Sequence, residues 1–326
     1  MKIAQIGARP QVERAPKETY LVAGWLGCTG FNMGVVNTEI PLGSYTVSID
    51  SVRKIYKGLQ RVVAEEADLT LSKWEILPDQ TKEQFEARKK EVRENAFRVT
   101  VSVYREDGSH TFGDTEDIFD FSGKQSFVNR IYMTNKTAFV RVANSDPANS
   151  FDLMLDFSQP PLLDARSIVS SPTINASSLT IGSVREGWFA GIEKIVLNHI
   201  DKRHRFRARF HGPFVYDHGV VIFGLPFGFY ICWLASDFVD KWAASNQFLK
   251  SAAYVYIIVA SLWLYRVLFG YTKWAFPLAE LKEQQNRPRV HRRFWWGLIA
   301  LLTGKVFWDF FDRYLSIAHW LGPTSP

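Results

Sequence analysis

Four charged side chains in otherwise apolar stretches have the clearest potential for chemistry in this sequence: Arg266, Lys305, Asp309 and Asp312. Charges in lipid are costly unless they are paired or line a water-filled path, so they mark ion paths and coupling sites. Arg266 has two readings, since it either snorkels to the lipid headgroups or pairs with Asp309 in an ion path. Pro226, in another apolar stretch, predicts a kink that is either a hinge or a bend tolerated by packing.

A basic stripe in the N-terminal half is a candidate ligand site. Arg53, Lys57 and Arg61 recur every four residues, which places them on one side of a helix. Such a stripe could grip the phosphate of a nucleotide, a nucleic acid or a lipid. The alternative is an ordinary solvated helix surface.

Catalytic patterns are not evident. The seven histidines show neither metal-ligand spacing nor a serine-elbow context. We therefore predict no catalytic residue, no metal site and no cofactor. An enzyme stays an alternative, because a nucleophile and its base can be far apart in sequence.

Two apolar segments near the C-terminal end predict transmembrane helices. Residues 218–236 and 252–272 contain one charge between them, Arg266. As helices they would be about 28 and 31 Å long, against a hydrocarbon core of about 30 Å. The sequence therefore predicts a multi-pass membrane protein with two spans, in a plasma or inner membrane.

The distribution of basic residues predicts the orientation. Residues 1–190 carry net charge −2 and residues 191–326 carry +8. Both outer flanks of the two spans are basic and the loop between them is neutral, so the positive-inside rule places both flanks, and the N-terminal domain, in the cytoplasm. The pattern favours anionic lipid headgroups over nucleic acid as the partner. The residues predicted to bind headgroups are Lys202, Arg203, Arg205, Arg207, Arg209, Arg287, Arg289, Arg292 and Arg293.

A third apolar segment, residues 294–317, differs from the first two. Its second half is amphipathic, with its charged residues on one side of the helical wheel and aromatic residues on the other. We expect an amphipathic helix that lies in the cytoplasmic interface or dips into it, held by tryptophans. The alternative is a third span whose polar face packs against its neighbours.

The N-terminal region predicts an α+β cytosolic domain, a mainly antiparallel sheet with flanking helices. An Asp107-Gly108 turn predicts a tight hairpin after the strand that begins at Phe97. Helices are expected at about 50–68, with Asp50 or Ser51 as the cap, at 78–97 and at 184–205. The other predicted strands are 17–26, 35–40, 44–49, 127–134, 138–143, 151–157 and a short one near Leu179.

These elements divide the chain into three parts: an α+β interaction or sensor domain at 1–185, a basic helical connector at 186–212 and an all-α membrane domain at 213–326. One hypothesis is a membrane-anchored sensor whose domain binds a partner protein or a small ligand at the inner membrane face. The alternative is an oligomerising membrane effector, a channel or a membrane-disrupting assembly in signalling or cell-suicide defence, gated by the same domain. Self-association is required for the second hypothesis, because two spans cannot enclose a pore.

Overall fold

The computed structural model describes residues 36–76, 78, 80–120, 126–160, 173–201, 205–212, 218–243 and 246–315. The strand predicted at residues 17–26 lies outside them. In chain order the strands are β1 Val36–Pro41, β2 Tyr45–Val47, β3 Thr100–Arg105, β4 His110–Gly113, β5 Val128–Thr134, β6 Ser150–Asp156, β7 Ser178–Ser183 and β8 Ala279–Leu281. The helices are α1 Ile49–Ser72, α2 Lys82–Asn95, α3 Lys136–Ala143, α4 Glu186–His199, α5 Arg205–His211, α6 Leu225–Ala243, α7 Gln247–Ala275 and α8 Asn286–Leu315.

Six strands form one antiparallel sheet in the order β1-β7-β6-β5-β3-β4. Side chains alternate across it, so that Val101 and Val103 are buried while Tyr104 is exposed. The turn predicted at Asp107-Gly108 joins β3 to β4, and Gly108 has φ +80°, a conformation that glycine adopts at little cost. The sequence prediction of an antiparallel sheet with helices is confirmed.

Helices α1 and α4 cover one face of this sheet. Their buried residues Leu59, Trp188 and Ile192 join the inward side chains of the strands in one core. The core therefore extends beyond the predicted boundary at residue 185, because α4 is part of it rather than a connector. We call β1 to β7 together with α1 to α4 the sheet domain.

Three local predictions differ from the structure. The helix predicted at 184–205 ends at His199, because Asp201 is extended and bridges to Thr46, and a separate helix, α5, begins at Arg205. Ser48, not Asp50 or Ser51, caps α1, because its side-chain oxygen accepts a hydrogen bond from the Ser51 amide at 3.1 Å. Residues 138–143 form part of helix α3 rather than a strand. Just before α3, the Asn135 side-chain oxygen accepts a hydrogen bond from the Phe151 amide of β6 at 2.9 Å. This side chain thereby occupies the hydrogen-bonding position beside β6 that the backbone of a continuing strand would fill.

Gly58 sets how closely α1 approaches α4. A Cβ atom at this position would lie 2.8 Å from Ile195 Cγ2, whereas one at Gly191 in α4 would meet nothing within 4 Å. We expect Gly58→Ala to reduce the free energy of unfolding by about 1–3 kcal/mol through overpacking. Gly191→Ala, the matched control, should raise it by up to about 1 kcal/mol. Thermal unfolding of both variants tests this, and equal stability would contradict the close approach.

Among the residues that the structure describes, two helices are long and apolar enough to cross a bilayer. They are Val220–Ala243, comprising a π-helical turn and α6, and α7. Only 11% and 6% of their most apolar windows are buried, so their surfaces face outward instead of forming a core. They pack as an antiparallel pair, with Gly228 against Ile258 and with Asp240 paired to Lys250 at 2.8 Å. We call this pair the apolar hairpin.

The irregularity predicted at Pro226 is a π-helical turn at Val220–Gly224. The Leu225 amide bonds to the Val220 carbonyl, five residues back. Pro226 follows immediately and has no amide hydrogen to donate, so the turn lies where a regular helix would lose a bond. Whether it moves as a hinge stays a prediction.

Candidate coupling site between the sheet domain and the apolar hairpin

Strand β2 connects the sheet domain to both chain segments that lead to the hairpin. It pairs in parallel with β8, which follows α7, with Tyr45 opposite Ala279 and the Tyr45 amide bonded to the Leu278 carbonyl at 3.0 Å. On its other side, Thr46 exchanges two backbone hydrogen bonds with Asp201, of 3.0 and 3.2 Å. We call β2, β8 and the Asp201 bridge the junction.

The junction continues into the first long helix of the sheet domain. Glu283, in the turn after β8, accepts a hydrogen bond from the Ile49 amide at 3.0 Å. Ile49 is the first residue of α1, so a carboxylate lies at the positive end of this helix. A displacement of β8 would therefore act on α1 as well as on β2.

Glu280 is the charged centre of the junction. Its side chain is 4% exposed, and its two oxygens pair with Arg207 of α5 at 2.9 Å and with Arg292 of α8 at 2.6 Å. Arg292 also donates to the Ala275 carbonyl, at the end of α7, at 2.8 Å. Buried charges are tolerated only when they are paired in this way, so the cluster fixes α5, β8, α7 and α8 relative to one another.

His211 adds a neutral polar contact to the same region. Its Nε2 lies 2.8 Å from the Phe276 carbonyl, and its Nδ1 lies 2.8 Å from Thr173 Oγ1. Burial, followed by the positive charges of Lys273 and Arg207, lowers the pKa of His211 below its ordinary value of 6.5, although the bond to Phe276 opposes the shift. The imidazole is therefore neutral at pH 7, with Nε2 as donor and Nδ1 as acceptor.

This lowered pKa gives the stability of the protein a defined pH dependence. Below pH 6.5 the unfolded chain binds a proton at His211 before the folded chain does, so protonation favours unfolding. We expect the free energy of unfolding to fall by up to about 1.4 kcal/mol per pH unit until the folded-state pKa is reached, and to be independent of this group above pH 6.5. Thermal unfolding between pH 8 and pH 5 should show this loss in the wild type. If His211→Gln showed the same loss, the assignment would be wrong.

A cleft of about 290 Å³ opens beside the junction. The sheet domain contributes Phe127 and Phe157, and the end of α7 contributes Trp274. Gln284 crosses between the two sides and faces the Val128 backbone. With its amide oriented to suit these partners, its oxygen accepts from the Val128 amide at 2.6 Å and its nitrogen donates to the Val128 carbonyl at 3.3 Å. An occupant of this cleft would contact the sheet domain and the hairpin segment at once.

The predicted basic stripe on α1 has partners within the chain. Arg53 donates to the Phe119 carbonyl at 3.2 Å and Lys57 pairs with Glu116 at 3.0 Å. Arg61 pairs with Glu65 in α1 itself at 3.8 Å. A phosphate would have to compete with these contacts, and phosphate binding here stays a prediction.

The residues predicted to bind headgroups separate into three groups. Arg207 and Arg292 are held by Glu280, so their guanidinium groups are not free to reach lipid as predicted. Lys202 and Arg203 lie outside the described residues, and Arg205 and Arg287 are placed in α5 and α8 by their backbone. The exposed members are Arg209, Arg289 and Arg293.

Asp309 of α8 contacts the first helix of the hairpin. Its carboxylate accepts a hydrogen bond from Tyr230 Oη at 2.5 Å and pairs with Lys305 one turn earlier. Sequence reasoning identified both charges but missed Tyr230, whose only signal is a hydroxyl within an apolar segment. Asp312 is exposed, and Arg266 is half-buried on α7.

No group of three or more His, Cys, Asp or Glu side chains that could hold a metal is present among the residues the structure describes. The chain matches no protein-family model, and no significant match is found among curated proteins or solved structures. The function therefore has to be inferred from the geometry of the junction and of the apolar helices.

Proposed function

We propose that this chain is a membrane-anchored sensor, whose sheet domain lies at the cytoplasmic membrane face, binds a partner protein or a small ligand, and passes the bound state to the membrane helices. The observation that supports this most is the position of β2, which pairs with the segments on both sides of the hairpin. A domain tethered by a simple linker would not need such pairing.

Membrane insertion is supported by the surface of the hairpin. Phe238, Tyr256 and Trp263 are 70%, 74% and 64% exposed, and a contiguous apolar surface of this kind requires lipid or protein to cover it. The exposed Arg209 and Arg293 lie on the junction side of the hairpin, where they would face anionic headgroups. This supports the orientation with the sheet domain inside.

The cleft is the proposed binding site, because its walls belong to both parts of the chain. A ligand that contacts both walls favours the arrangement of domain and hairpin in which the walls fit it best. The state of the sheet domain is thereby converted into a preferred position of β8 and of the helices that Glu280 holds.

A cleft-filling variant tests this proposal. Ser158 is exposed at the cleft, so Ser158→Trp should block the site without disturbing the core. Ser109→Trp, in the exposed hairpin turn, is the matched control. In full-length protein extracted from native membranes in nanodiscs, mass spectrometry should find a co-purifying partner or small molecule with wild type and control, reduced about tenfold or more in Ser158→Trp. Identical recovery in all three, including none, would reject the cleft.

The second candidate function is an oligomerising effector that conducts ions or disrupts the membrane. Two exposed charges on α8 favour it: the side chain of Lys305 is 58% exposed, and Asp312 is exposed on the same helix. Charges that face outward from a membrane helix need water or another copy of the chain to cover them. Potassium flux from liposomes should be lost in Arg266→Leu and in Asp312→Asn but kept in the loop-side control Asp237→Asn. Unchanged flux in the first two variants would reject this function.

A further inference from the structure

We infer that α8 crosses the bilayer as a third membrane helix docked on the apolar hairpin, instead of lying in the interface as its amphipathic sequence predicts. The inference rests on the proposed membrane insertion of the hairpin and is independent of the sensor role. It is supported by a consistent register between α8 and both hairpin helices.

The register begins at the junction end of the helices. Trp295 Nε1 donates to Thr272 Oγ1 at 2.6 Å, so the start of α8 lies against the end of α7. Asp309 lies fourteen residues further along α8, and Ile258 lies fourteen residues back along α7. At 1.5 Å per residue, each is about 21 Å along its helix from the contact of Trp295 with Thr272. Ile258 packs on Gly228 of α6.

The second end of this register is independently fixed. If α8 runs antiparallel to α7, Asp309 is level with Ile258 and therefore with Gly228. Asp309 does bond to Tyr230, which is only two residues from Gly228. The rings of Trp233 and Phe310 stack beside it, with centroids 6.1 Å apart. Tyr230 is ten residues beyond Val220, or about 15 Å into a core of about 30 Å. A helix lying in the interface could not reach it.

The composition of α8 is compatible with crossing. From Phe294 to Phe311 there are eighteen residues, about 27 Å as a helix, and the two charges among them are Lys305 and Asp309. These charges are paired with each other, and Tyr230 supplies a further hydrogen bond to the carboxylate. Pairing lowers the cost of placing these two charges in lipid, so they are compatible with a crossing by α8.

A third crossing has a topological consequence. If the sheet domain is inside, the segment after α8 emerges on the opposite face. In a background with Cys28→Ser and Cys232→Ala, we expect Ser325→Cys to be labelled from outside intact cells by a membrane-impermeant maleimide. Asp107→Cys, in the exposed β3–β4 turn, should be labelled only after permeabilisation. Protection of both sites in intact cells would overturn the inference while leaving the sensor proposal standing.

Cross-linking tests the docking separately. Trp233→Cys with Phe310→Cys should be joined by a short bismaleimide in membranes. Trp233→Cys with Phe294→Cys is the matched control, because Phe294 packs near Tyr271 at the junction end of α7 and should not be joined. A missing 233–310 cross-link, or an equal yield in the control, would also overturn the inference. Release of the protein by alkaline carbonate would instead reject membrane insertion of the hairpin itself.

Discussion

Replacing Glu280 by alanine is expected to lower the free energy of unfolding by about 3–5 kcal/mol, because it leaves the buried Arg207 and the largely buried Arg292, whose side chain is 16% exposed, without their counter-charge. Glu280 is 4% exposed and is the shared partner of Arg207 and Arg292. The same substitution should loosen α5 and α8 together, since both are held by this carboxylate. Denaturant unfolding of the full chain in lipid nanodiscs measures the loss.

Two controls define the origin of this effect. Asp240→Ala breaks an exposed ion pair with Lys250, and the expected cost is about 0–1 kcal/mol. Replacing the whole cluster, as in Arg207→Met with Glu280→Leu and Arg292→Met, should recover most of the stability, because no buried charge is then left unpaired. If Glu280→Ala were no more destabilising than Asp240→Ala, the cluster would not hold the junction.

The second large effect is expected from Asp309→Ala. If α8 crosses the bilayer as we infer, this variant leaves Lys305 without a counter-charge at mid-bilayer depth, and it removes the acceptor of Tyr230. A lysine at the centre of a membrane helix costs about 2.5–3.5 kcal/mol, which corresponds to roughly a hundredfold shift against the inserted state of α8. The outward-labelled fraction of Ser325→Cys in intact cells measures that shift.

The matched variants separate charge from packing. In Lys305→Leu with Asp309→Leu the helix is apolar throughout the region, so outside labelling should return to the wild-type level. Tyr230→Phe removes only a hydrogen bond and should cost about 0.5–1.5 kcal/mol. Wild-type labelling in Asp309→Ala would contradict the role of the pair in insertion.

Much of the fold could be predicted from local patterns in the sequence. Alternation predicted β3, and helical spacing of buried residues such as Ile55 and Leu59 predicted α1. The short segment that forms α3 is an apolar run that includes Phe139, Val140 and Val142, and its eight residues are too few to separate helix from strand by period. Whether this segment forms a helix or a strand is decided by the tertiary contacts of Asn135.

The junction could not be predicted in this way. Ser44 bonds to Leu278, 234 positions along the chain, and no local period links the two segments. Glu280 looks in sequence like an ordinary charged residue near basic neighbours. Its burial follows only once β8 is placed against β2. Similarly, the basic residues around the hairpin look alike in sequence, yet Arg207 is buried and Arg209 is exposed.

The sheet domain is joined to the apolar hairpin through the pairing of β2 with β8. Amide hydrogen exchange of the full chain in nanodiscs measures how firmly these two strands are paired. We expect the amides of Tyr45–Val47 and Ala279–Leu281 to be protected together, to a degree comparable with those of β5 in the sheet. Fast exchange in β2 and β8 while β5 remains protected would contradict this pairing.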